Sequence, residues 1–261
     1  VSSGGAIVFT GGDNTYSGAI TLGATSTIVS TGGAQTISGT VNAGNGLTIT
    51  SNSNLTISGV VGGSTALSAY AVTTTGSGTQ TFSANVTTTG NQTYTAAGGI
   101  VTSGARTFEG DTINFASDIS RDNNVTVTGN ADINGLVTRI AVLSVSGNSN
   151  IGADITTSGN QTYSDAVTLS ANVTLTTSSD AVTFSSTINS ADSTRRNLTI
   201  ATGGDSTTVI FDGIVGGSQA VGEIAITGVL DLGAAITDAT SVSVSGTSNL
   251  GANVTTTGTQ T

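Results

Sequence analysis

The sequence predicts an all-β chain wound as a parallel β-helix, a β-solenoid of roughly 20–25-residue coils. Three observations predict it: phrases that recur along the chain, short strands with a two-residue alternation, and a composition rich in Thr, Ser and Gly but poor in aromatic bulk.

Composition comes first. Thr (51), Ser (34) and Gly (37) make up nearly half of the 261 residues, a bias that by itself would signal disorder. Charged residues are only 8 %, however, and Val, Ile and Leu recur in evenly spread clusters, as a chain with a core requires. Thr, Val and Ile lose rotamer freedom in a helix and fit a pleated surface better, so the elements are strands. A sandwich would need aromatic bulk to fill a wide core, and there are only Tyr 4 and Phe 6. The narrow core of a solenoid is filled by Val, Ile, Leu, Ala and an occasional Phe. Proline, which would break pairing between coils, is absent.

The elements follow in order along the chain. Residues 9–18 (FTGGDNTYSG) run from an apolar strand into a Gly-rich corner. NLTI opens at Asn54 and again at Asn197, and GVVGGS at residues 59–64 returns as GIVGGS at 213–218, an offset of 154. ANVTTTGNQTYT at 84–95 matches ADITTSGNQTYS at 153–164, an offset of 69. LSVSGNSNIGADITTSGNQT at 143–162 shares 13 of 20 positions with VSVSGTSNLGANVTTTGTQT at 242–261, an offset of 99. Taken as whole coils of roughly 20–25 residues, these offsets correspond to about three, four or five, and seven of them. Within a coil the period is two: in AVTLSANVTLTT (166–177), Val167, Leu169, Val173 and Leu175 face one way and Thr168, Thr174 and Thr176 the other. Pieces such as SGNSN (146–150) and ATGGDS (201–206) supply the corners. The chain starts and stops in mid-pattern, so residues 1–261 are expected to be one continuous solenoid segment of a longer repetitive protein.

The same composition excludes much chemistry. With no Cys and no His there is no disulfide frame, thiolate or imidazole metal site, or histidine-dependent nucleophile. All five basic residues are arginines, which leaves no lysine for a Schiff base or phosphate clamp. A net charge of −10 argues against nucleic acid as a partner. No apolar run reaches the ~18–20 residues of a membrane-spanning helix. Neither a catalytic residue nor a cofactor is expected, apart from adventitious Ca²⁺: GGDNT at Gly11 and GGDST at Gly203 are single matches to a calcium-binding repeat that is otherwise missing.

The phrase at 9–18 resembles the passenger-associated repeat of autotransporters, and TTTGNQTY and VGGS are similar to phrases of filamentous-haemagglutinin-like surface proteins. The resemblance implies a right-handed parallel β-helix outside a bacterial cell, on the cell surface, as an adhesin or the stalk that displays one. Implied partners are other copies, end to end or side by side, and host or matrix glycans or proteins. The expectation is a non-catalytic rod or filament for attachment or biofilm assembly.

Five residues are surface-interaction candidates: Asp118, Arg121, Asp122, Arg195 and Arg196. The first three lie with Glu109 and Asp111 in the only charge-dense stretch. Two carboxylates there would suit a polysaccharide hydrolase, the alternative to a structural role, but a solvated loop between coils explains them as well. Arg195 and Arg196 would suit an anionic glycan, against the plainer reading of a solvated turn. Thr73–Thr75, Thr87–Thr89, Thr255–Thr257 and the Thr174/Thr176 pair would suit the flat hydroxyl array of an ice-binding solenoid, though β-propensity alone explains them. The rings of Phe82, Tyr94 and Tyr163 are either sugar platforms or core corners, the latter being favoured. Sequons at Asn85, Asn91, Asn160, Asn172, Asn197 and Asn253 follow from composition.

Overall fold

A computed structural model describes residues 2–3 and 5–261; Val1, where the expected solenoid segment starts, and Gly4 lie outside the described residues. The described residues contain no helix, and their parallel strands stack as β-solenoid turns, about 12 in all with about 21 residues each. The chain divides into two compact units, Val1–Asn130 and Ala131–Thr261.

In the first unit each turn contributes a strand to three columns. One column climbs from Ala6–Phe9 through Ser26–Ser30, Leu47–Ser51 and Tyr70–Thr74 to Gln92–Ala96. A second runs from Asn14–Tyr16 through Gln35–Ile37, Leu55–Ile57, Gln80–Phe82 and Ile100–Thr102 to Ile119–Ser120. The third joins Ser2–Ser3, Ile20–Leu22 and Val41–Asn42, continuing through Val61 to Val86–Thr87 and then Phe108. Alternation decides what faces in. In Leu47–Ser51 the residues Leu47, Ile49 and Ser51 are buried while Thr48 and Thr50 are not. The aromatic residues stack inside as well: Tyr94 lies parallel to Phe115 at 5.5 Å and meets Phe82 and Phe108 edge-on at 5.1 and 5.3 Å.

The second unit repeats the plan. Its columns pass through Ser149–Ile151, Val167–Leu169 and Ile188–Ser190; through Ile155–Thr157, Val173–Thr176, Leu198–Ala201 and Val221–Thr227; and through Leu143–Val145, Gln161–Tyr163, Val182–Phe184, Thr208–Phe211 and Val229–Leu232. The alternation read in 166–177 holds, with Val167, Leu169, Val173 and Leu175 all buried. The corner expected at 146–150 is shorter, because Ser149 and Asn150 already belong to a strand and Ser149 points inward.

Turn length varies while register is kept. Ser149 pairs with Val167, 18 residues on, whereas Val182 pairs with Val209, 27 residues on. Asparagine absorbs the difference. The Oδ1 of Asn172 accepts from the backbone N–H of Asn197, 25 residues away, at 2.9 Å, and Asn197 in turn accepts from Glu223 at 3.0 Å. Asn85 and Asn160 do the same for Thr107 and Ala181. Asn85, Asn160, Asn172 and Asn197, all in sequons, are thus ties between successive turns, each satisfying an N–H that the corner takes out of the ladder.

The repeated phrases are corner modules, and this corrects their reading as whole-coil periods. Residues 143–162 and 242–261 each begin on a strand that an 18-residue turn pairs with a glutamine, Leu143 with Gln161 and Val242 with Gln260. Leu143 and Val242 nevertheless belong to different columns of the second unit. The offset of 99 is therefore not a whole number of turns.

Candidate functional site

The module is built around its glutamine. Gln161 is fully buried, and its Nε2 donates to the Ile155 carbonyl at 3.3 Å, to Thr157 Oγ1 at 3.2 Å and to the Thr176 carbonyl of the next turn at 2.9 Å. Its Oε1 accepts from Tyr163 Oη at 3.1 Å, and Thr157 Oγ1 donates to the Gly159 carbonyl at 2.6 Å. Gln92 copies each contact with Val86, Thr88, Glu109 and Tyr94. Gln260 repeats those to Val254 and Thr256. A buried amide that leaves no donor or acceptor idle closes a tight corner without proline. Sequence reasoning missed this role, although the signal was present in the glutamine recurring two residues after the glycine of each phrase.

The rings of Phe82, Tyr94 and Tyr163 are fully buried, so they fill corners of the core and offer no sugar platform. Burial pushes the Tyr94 and Tyr163 phenols well above the usual tyrosine range.

The structure separates the charge-dense stretch. Glu109 and Asp111 flank Gly110 within the strand Arg106–Phe115, with both side chains exposed beside a shallow hollow edged by Thr88, Thr89 and Thr128. Asp118, Arg121 and Asp122 do not line that hollow; they flank the short strand Ile119–Ser120 and are exposed. Arg121 carries a φ of 106°, and the loop it opens is tied down by Asn123, which donates to the Thr102 carbonyl at 3.0 Å. Among the described residues no three carboxylates converge where they could hold a metal ion.

Arg195 and Arg196 follow an exposed bend, residues 191–194, and are themselves half-buried, each facing a carboxylate. Arg195 Nη2 lies 2.8 Å from Asp238 Oδ1 and its Nη1 donates to the Val221 carbonyl at 3.2 Å, while Arg196 faces Asp192 at 3.6 Å. Ser190 Oγ accepts from the Arg196 N–H at 3.0 Å and donates to the Ala220 carbonyl at 2.7 Å. The backbone N–H of Thr194, then its hydroxyl, hold the Asp192 carboxyl below the usual carboxylate range, with Arg196 adding to the effect. Asp238 lies 43 residues from Arg195, and no local signal reveals the pair. The two guanidinium groups thus fasten a long corner.

The threonine runs alternate between the inner and outer faces of the turns. In the strand Tyr70–Thr74, Thr73 faces out and Thr74 faces in, where its hydroxyl donates to the Gly78 carbonyl at 2.8 Å. Compared with family models, curated proteins and solved structures, the chain matches none of them.

Proposed function

We propose that this chain is a structural and adhesive segment of a secreted bacterial surface protein, one that catalyses nothing. The observation that supports this reading best is how its polar residues are used. The glutamines, the cross-turn asparagines and the arginine pair serve to stack one turn on the next, and Glu109 and Asp111 edge a shallow hollow instead of lining a closed cleft. An enzyme acting on a polymer needs acid and base converging on one bond, in a site that excludes water. Stacked turns instead give a repetitive surface suited to weak, multivalent attachment to a glycan or protein matrix and to association between copies, end to end or side by side.

Electron microscopy of the purified chain, together with its retention on bacterial surface polysaccharide, tests this reading. Thin regular rods or fibres that adhere to the matrix are expected. Release of reducing sugar from any polysaccharide, abolished by Asp118→Asn with Asp122→Asn or by Glu109→Gln with Asp111→Asn, would overturn it in favour of a hydrolase.

A further inference from the structure

No charged residue occurs between Asp13 and Arg106, a stretch of 92 residues, although the whole chain carries a net charge of −10. On one side of the first unit this stretch lays out two parallel columns of outward side chains. Thr27, Thr48, Ala71 and Thr93 form one, and Val29, Thr50, Thr73 and Thr95 form the other, each residue in register with the next. Six of the eight carry hydroxyls. Among the described residues none of those six hydroxyls is engaged in a hydrogen bond to the protein, in contrast to Thr74 and Thr88, which turn inward and bind corner carbonyls. The remaining groups on the face are methyls.

Strand geometry fixes the spacing of this net. Neighbouring strands lie about 4.8 Å apart, and residues i and i+2 about 6.6 Å apart, so the hydroxyls stand on a regular rectangular net. The inter-strand repeat is close to an oxygen repeat in hexagonal ice, and the along-strand repeat is somewhat shorter than the next one. β-Branched threonine holds its rotamer, so the lattice is rigid before anything binds and little side-chain entropy is lost on contact.

We infer that this face binds an ordered water lattice, so that the chain adsorbs to ice. Charge and area both bear on the occupant. A face without a formal charge, on an acidic chain, suits a neutral partner and offers nothing to an ionic one. Four strands of five residues make a patch of roughly 300 Å², well below the ~800 Å² per partner of a stable protein interface, so a second copy seated on this face alone would not be held. A flat sugar crystal is disfavoured because pyranose faces stack on aromatic rings, and the unit's Tyr70, Phe82, Tyr94, Phe108 and Phe115 are all buried.

Thermal hysteresis and ice-crystal shape, recorded with the purified chain, test the inference. Measurable hysteresis with faceted crystals is expected, reduced at least fivefold by Thr50→Lys and by Thr73→Lys. Thr56→Lys should leave it unchanged, because its column (Thr15, Thr36, Thr56 and Thr81) is only one residue wide. Circular dichroism confirms that each variant is folded, and Thr50→Val, which keeps the methyl but not the hydroxyl, gives a second reading should a lysine variant unfold. Absence of hysteresis in the folded chain would overturn the inference. So would equal loss from Thr56→Lys, or a face that instead drives dimerisation or capture by microcrystalline cellulose.

Discussion

Tyr94 and Tyr70 are both buried, yet only one has its hydroxyl matched: Tyr94 Oη donates to Gln92 Oε1 at 2.6 Å, whereas Tyr70 Oη has no partner. Opposite outcomes are expected from the same substitution. Tyr94→Phe strands a buried amide oxygen and should lower stability by about 1–3 kcal/mol, while Tyr70→Phe removes an unmatched buried hydroxyl and should be neutral or stabilising. Urea midpoints of the two variants distinguish them, and equal losses would refute the assignment. Burial also makes stability depend on alkaline pH. The phenols of Tyr70, Tyr94 and Tyr163 are raised above 10.0, chiefly by desolvation. Above pH 10 the unfolded chain therefore releases protons that the folded chain retains. Stability is fully present below pH 10 and falls as pH rises, by up to about 1.4 kcal/mol per pH unit for each tyrosine. Urea midpoints that stay flat from pH 9 to 11 would contradict this. Burial of the Tyr94 and Tyr163 rings was legible in the sequence, because a narrow core rich in Val and Ile places its few aromatics inside. The glutamine partnership was not: a polar residue ahead of a ring reads as a surface position until the next turn's carbonyl is seen above it.

At the scale of elements, the VGGS phrases are one device used twice. Gly62 and Gly216 adopt φ values of 75° and 74°, and Ser64 and Ser218 donate their N–H groups to Asn42 and Asn189 of the preceding turn. A Cβ on Gly216 would lie 2.2 Å from the Asp238 carbonyl oxygen, and one on Gly62 would lie 2.0 Å from that of Thr87. Gly216→Ala is accordingly expected to cost more than about 2 kcal/mol through backbone strain and a clash that cannot relax. By contrast, Gly204→Ala, where nothing stands within 4 Å, should cost less than about 1 kcal/mol. Thermal unfolding of the two variants decides the matter. Strand positions were readable from two-residue alternation because burial enforces it. Turn lengths were not, since a corner that gains residues is sealed by an asparagine about 20–30 positions earlier, a distance at which sequence carries no local signature.

Across the whole chain, all five arginines lie at residue 106 or beyond, and lysine is absent. Trypsin therefore has no site in the first 105 residues even after unfolding. In the native protein the exposed loop at Arg121 should be cut well before Arg195 and Arg196, whose guanidinium groups are held by Asp238 and Asp192. Mass spectrometry of a timed digest reads the order directly, and early cleavage after Arg195 or Arg196 would show that this corner is open. The fold class was legible because repetition and composition act on every turn alike. The fate of the candidate residues was not, since the contacts of Arg195 and the split between Glu109 and Asp118 depend on which turn lies above which.

The glutamine corner bears on how such a chain can change its length. Because the same phrase closes a corner in either of two columns, a duplication or loss at the gene level need not encompass an entire coil to leave a foldable product. One strand of a turn with its corner, roughly seven codons, is the smallest step, one third of the ~21-residue turn. Slippage during replication would then lengthen or shorten the protein in increments that selection can tolerate, leaving offsets such as 69 and 99 as its record.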